Sequence, residues 1–168
     1  SLLFFINMLN IYLWFLALSM SRFIMVDKYE INRSLAINLL KTREVVMDRF
    51  RPMLASVNLT EQQWRVLRGL SEHGATEAGK LASIACILPQ SLSRIAKNFE
   101  KKNLIKMETD PKDARKIILS LTKTGETLMN EATTQSKKIY AQLIEDYGES
   151  NLTDLLNKLN LLRDSLEK

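Results

Sequence analysis

Between Pro89 and Lys116 the chain concentrates side chains that hydrogen-bond or neutralise a polyanion. Gln90, Ser91, Ser93, Arg94, Lys97, Asn98 and Lys101 recur through one segment, and Lys112, Asp113, Arg115 and Lys116 follow shortly after. Ser, Gln, Asn and Arg carry donors and acceptors that match base edges, while Lys and Arg supply the charge that a phosphate backbone attracts. From Arg94 to Lys116 there are eight bases (Arg94, Lys97, Lys101, Lys102, Lys106, Lys112, Arg115, Lys116) against four acids (Glu100, Glu108, Asp110, Asp113), so most of the formal net charge of +5 gathers there. From Glu126 to the end the sign reverses, with eight acids against five bases. A basic stripe beside a neutral-to-acidic remainder is the electrostatic footprint of nucleic-acid binding, and charge alone leaves open the blander reading of a solvated lysine-rich surface.

Enzymatic chemistry has little to work with. One histidine, His73, one cysteine, Cys86, and no glycine-rich phosphate loop leave no base, nucleophile or metal cluster to assemble, so no metal and no cofactor are expected. A lone cysteine also excludes an intramolecular disulfide, which makes a reducing cytoplasm the expected location. Cys86 reads as a small buried residue of a turn, and His73 as a surface or capping residue.

The polar side chains need elements to hold them. Leu88, Leu92, Ile95 and Phe99 fall at i, i+4, i+7 and i+11, which predicts an amphipathic helix with its polar residues opposite. Residues 104–108 and 117–121 read as strands around the charged turn Asp110 to Lys116, which puts Arg115 at the tip of a ribbon where it can reach a minor groove. Upstream, Ile31, Leu35, Leu39, Val46, Phe50 and Met53 predict a long helix that Pro52 begins to close. Thr60 is an N-cap, and Gln63 completes a capping box ahead of Trp64, Val66, Leu67 and Leu70. His73-Gly74 ends that helix.

A short helix over about 77–85, carrying Leu81, Ala82 and Ile84, then leads through Cys86-Ile87-Leu88 to Pro89, which a first helical turn accepts. Two helices joined by a tight turn, the second polar outward, are a helix-turn-helix, and the following ribbon is a wing. Helices over 123–147 and 152–166 complete the chain. In the last, Leu152, Leu155, Leu156, Leu159, Leu162 and Leu166 make a face too wide for one small module to cover, and a second copy is the simplest partner. The fold class is therefore mainly α with a small β-hairpin: a winged helix-turn-helix over 58–122, with a helical dimerisation region from 31–57 and 123–168.

Residues 1–25 stand apart. Leu2 to Ala17 is apolar apart from two asparagines, and no charge precedes Arg22. A dispensable extension or start-site artefact, a membrane anchor flanked by Arg22, Lys28 and Arg33, and a signal peptide lacking a basic start are the competing readings. No membrane role is expected unless this segment is a genuine anchor.

Leu59-Thr60-x-x-Gln63-Trp64-x-Val66-Leu67, the helix-turn-helix, the wing Asp110-Pro111-x-Asp113-x-Arg115, Leu121-Thr122-x-x-Gly125 and two closing helices together resemble the MarR family of dimeric bacterial transcriptional regulators. The likeness runs from about Asn32 to the C-terminus. Within the family, REVVMDRFRPML, NLTEQQWRVLR and ACILPQSLSRI are most similar to a repressor of aromatic-acid degradation.

The resemblance implies a homodimer on double-stranded DNA at a pseudo-palindromic operator, released by a small anionic aromatic effector. It implies that Arg115 contacts DNA with Asp113 orienting its guanidinium. It also implies an effector cleft in which Trp64 stacks, Arg43 or Arg68 meets a carboxylate and Met47 forms a soft wall, although Trp64 as a plain core residue stays open. Relatives often carry glycine where this chain has Asn103, which also tolerates a left-handed backbone. The rival functions are an effector-independent DNA binder and a winged helix used for protein contacts.

Overall fold

A computed structural model of the chain describes residues 34–167, so the expectations for the N-terminal extension and Ile31 lie outside the described residues. The element order is α1 (Leu35–Ser56), α2 (Glu61–His73), β1 (Thr76–Glu77), α3 (Ala78–Ile84), α4 (Pro89–Lys101), β2 (Ile105–Asp110), β3 (Asp113–Leu121), α5 (Lys123–Tyr147) and α6 (Glu149–Leu166). The chain divides into two compact units, Ser1–Met47 and Asp48–Lys168. In the first, the described part of α1 leaves Leu35, Leu39, Leu40 and Val45 exposed. Leu35 and Leu39 lie on the helix that the spacing predicts and are exposed in the single chain.

The second unit holds the core. Val66, Leu67 and Leu70 of α2, Leu81 of α3, Phe99 of α4, Ile105 and Leu119 of the sheet and Met129 of α5 are fully buried. At about 1.5–3 kcal/mol for each large apolar side chain, this cluster is what gathers α2 to α5 around the sheet. The capping box is present: Thr60 Oγ1 accepts from Gln63 N at 3.2 Å, and Thr60 N donates to Gln63 Oε1 at 2.9 Å. Gly74, at φ +70°, caps the C-terminus of α2 by donating to Leu70 O.

The hairpin is part of a three-stranded antiparallel sheet in the order β1-β3-β2. Strand β1 pairs Thr76 with Leu119 and Glu77 with Ile118. Two residues carry no alternation to read, so only β3 could reveal this strand. The hairpin is also longer than its predicted strands: β3 begins at Asp113, and the turn shrinks to Pro111-Lys112. Arg115 therefore lies in a strand, three residues past the turn.

Pro52 sits inside α1 rather than closing it, and the helix continues to Ser56. The missing N–H costs a hydrogen bond, while burial of Phe50, Met53 and Leu54 around it holds the helix in place.

Thr122 and Gly125 join the sheet to α5. Thr122 Oγ1 accepts from Gly125 N at 3.1 Å and donates to Asn103 O at 2.6 Å. A Cβ on Gly125 would stand 2.1 Å from Leu104 O, so this contact admits no side chain.

Candidate functional site

Helix α4 presents the polar face that its spacing predicts. Leu92, Ala96 and Phe99 are buried, whereas Gln90, Ser93, Arg94, Lys97, Asn98 and Lys101 are exposed and Ser91 is half-buried. Leu88 departs from the predicted stripe. It is the N-cap, 67% exposed, and caps no N–H with its side chain. Its backbone is extended, so the helical repeat that would turn it inward starts one residue too late. Ala96 fills the inner face instead.

The turn ahead of α4 also corrects an expectation. Cys86 is exposed, not buried, and its φ of +49° is left-handed. That conformation lets Cys86 N donate to Ser83 O at 3.1 Å and Ile87 N to Ala82 O at 3.0 Å, which turns the thiol outward. Arg65 of α2 reaches this turn, with Nη1 3.5 Å from Cys86 O; its buried Nε finds no acceptor among the described residues.

The wing is organised by two aspartates. Asp110 Oδ1 accepts from Lys112 N at 2.7 Å, closing the turn. Asp113 Oδ1 accepts from both the backbone N and the Nε of Arg115 at 3.1 Å, and Oδ2 accepts from Nη2 at 3.4 Å. The Arg115 side chain is 91% exposed and pairs with Asp113. Its hydrogen bonds, first from the guanidinium and then from the backbone, hold the Asp113 carboxyl below the usual carboxylate range. Lys112 is exposed, and Lys116 is tied back to the sheet through Glu77 at 3.2 Å. Asn103, at φ +55°, ends the segment after α4 in the left-handed conformation expected for it.

The residues considered for an effector divide. Trp64 is 6% exposed and packs in the core of the second unit. Arg68, one turn on, donates from Nε to Glu72 Oε1 at 2.6 Å and from Nη1 to Tyr140 OH at 3.5 Å. These two bonds, Glu72 first, raise the arginine's pKa. Tyr140 meets Phe50 edge-on, with ring centroids 5.3 Å apart. Arg43 and Met47 belong to the first unit, where Arg43 pairs with Glu44 and Met47 is half-buried.

Glu72 and Tyr140 escaped the sequence reading. The i, i+4 spacing from Arg68 could have flagged Glu72. Nothing local points to Tyr140, which lies 72 residues away. Among the described residues no group of three or more His, Cys, Asp and Glu is placed to hold a metal, and no helix is long and apolar enough to cross a membrane.

Comparison with known proteins follows this geometry. The MarR family model matches residues 59–117. The HTH-type transcriptional regulator FarR of Neisseria gonorrhoeae is 38% identical over 136 residues, covering 79% of this chain and 93% of its own. The homoprotocatechuate degradative operon repressor of Escherichia coli is 40% identical over 126 residues, covering 75% and 85%. Among solved structures, NadR in complex with 4-hydroxyphenylacetate superposes with a TM-score of 0.71 at 36% identity, over 77% of this chain and 92% of that one.

Proposed function

The chain belongs to the MarR family of transcriptional regulators, and we propose that it is a homodimeric repressor of an aromatic-acid catabolic operon, released from its operator by an anionic hydroxyphenyl effector. It is a regulator and not an enzyme. The observation that carries the reading is the pairing of α4, polar outward over a buried Leu92-Ala96-Phe99 stripe, with a wing that holds Arg115 exposed and paired with Asp113.

In this mechanism α4 lies in the major groove. Gln90, Ser91, Ser93, Arg94 and Asn98 face bases and phosphates, and Lys97 and Lys101 neutralise the backbone. Arg115 enters the adjacent minor groove, pre-oriented by Asp113, with Lys112 and Lys116 beside it on the wing. Two copies related by a two-fold axis read half-sites about one helical turn, roughly 10 base pairs, apart. The apolar residues that α6 leaves exposed support the second copy. A cytoplasmic location belongs to this reading, since operator DNA is there.

The effector reading rests on two relatives: a homoprotocatechuate degradative operon repressor, and a solved complex with 4-hydroxyphenylacetate. A phenolic acid needs a ring partner and one convergent cation, and within the second unit Arg68 is the candidate cation and Trp64, one turn before it on α2, the candidate ring. Such a ligand releases DNA by binding more tightly to a form of the dimer whose lobes no longer match the half-site spacing.

A gel shift with the promoter DNA upstream of the neighbouring genes tests both halves. Retarded DNA that 4-hydroxyphenylacetate or 3,4-dihydroxyphenylacetate releases, with Arg68→Ala blunting the release, is the expected result. Binding that neither acid alters at millimolar concentration removes the effector and leaves the DNA-binding function. No salt-dependent DNA binding overturns the reading altogether.

A further inference from the structure

We propose that Glu72 is an internal counter-ion that holds the effector site at Arg68 in a low-affinity state, and so sets the concentration of aromatic acid at which the repressor leaves DNA. This rests on the reading that Arg68 receives the effector's carboxylate. Arg68 Nε already donates to Glu72 Oε1 at 2.6 Å, and Nη1 lies 3.5 Å from Tyr140 OH. A guanidinium offers a carboxylate two forked edges, one through Nε and one between the two terminal nitrogens. Glu72 occupies the first and Tyr140 shares the second. A ligand carboxylate must therefore displace Glu72 or bind beside its charge.

Helix stability does not account for Glu72. It lies in the last turn of α2, where the carbonyl ends of the helix disfavour an acid. The pair also runs Arg to Glu along the chain, the weaker of the two i, i+4 orientations. What Glu72 does have is a cation to neutralise. The two side chains are 43% and 51% exposed, so the pair is weak and exchangeable, which suits a contact that a ligand must open.

Full-length wild type, Glu72→Gln, Glu72→Asp and Arg68→Ala are titrated by calorimetry with 4-hydroxyphenylacetate and with its uncharged amide, 4-hydroxyphenylacetamide. Operator release is followed in parallel. Glu72→Gln keeps the shape and removes the charge, so it should bind the acid about three- to tenfold more tightly, the scale of one partly screened charge. It should release the operator at correspondingly lower acid concentration, with amide binding unchanged. Glu72→Asp, still charged, should stay near wild type, and Arg68→Ala should lose the acid.

An unchanged or weaker Glu72→Gln complex with the acid overturns the inference, as does an equal gain for the amide, which would mark a steric role. A gain that persists in the Arg68→Ala background overturns it too. If the wild type itself fails to bind the acid, the effector reading fails and takes the inference with it. If the wild type binds through Arg68 and Glu72→Gln changes nothing, only the inference fails.

Discussion

Helix α4 buries Leu92, Ala96 and Phe99 against its own chain and turns its polar residues outward, whereas α6 buries none of its residues although leucines run its whole length. Leu156, Leu161 and Leu166 are more than half exposed. The polar face of α4 is satisfied by water until DNA arrives, at little cost. The apolar face of α6 has no such resting state, because exposed leucine is unfavourable in water whatever the ligand. One helix is complete and waits for a polyanion; the other is complete only in an assembly.

The comparison breaks most sharply at α6. Replacing Leu156 and Leu166, both exposed on the leucine face, together by Asp should abolish the dimer at micromolar concentration, since each buried leucine contributes about 1.5–3 kcal/mol and each occurs twice in a symmetric pair. Sedimentation should show a monomer whose circular dichroism still reports a folded helical protein. A persistent dimer would mean that another surface makes the assembly.

Next in size is the joint between the DNA-binding lobe and α5. Gly125→Ala should lower stability by about 2–3 kcal/mol in denaturant unfolding, because its methyl group meets the Leu104 carbonyl and the backbone must move. Wild-type stability in this variant would show that the joint is loose.

On the α4 side of the comparison, Arg115→Ala should weaken operator binding by about 1–3 kcal/mol, with no change in dimerisation. Asp113→Ala should cost less, since the cation remains and only its orientation is lost. Equal affinity for Arg115→Ala and wild type in the gel shift would remove the wing from the interface.

The smallest expected effect concerns pH. Arg115 depresses the pKa of Asp113, so the pair's contribution is complete above the unfolded carboxyl value of about 4 and is lost only as the pH falls through the lower folded value. The wing should therefore contribute no pH dependence to operator affinity between about pH 6 and 8, within which no free aspartate titrates. If Asp113→Asn flattens a slope seen in that range, the pair is not ionised as its geometry implies.

What the sequence determined by itself is local. The capping box of Thr60 and Gln63, the stop at Gly74 and the outward polar face of α4 each depend on residues within a turn or two, where spacing dictates contact. The Asp113-Arg115 pair came from the family resemblance, and the structure adds that both residues lie in β3, two apart and so on one face. The family likeness was legible in the order of such local signatures.

Tertiary structure decided the rest. Strand β1 exists because β3 offers it an edge, and its two residues carry no pattern of their own. Leu88 and Cys86 carry hydrophobic side chains, yet an extended N-cap and a left-handed turn point them outward, and those backbone conformations are set by the packing of α3 against α4. Glu77 meets Lys116, and Tyr140 meets Arg68, across 39 and 72 residues of chain. Contacts at that separation depend on where the core brings the elements, and hydrophobic burial, which does the bringing, is non-directional and leaves no spacing to read.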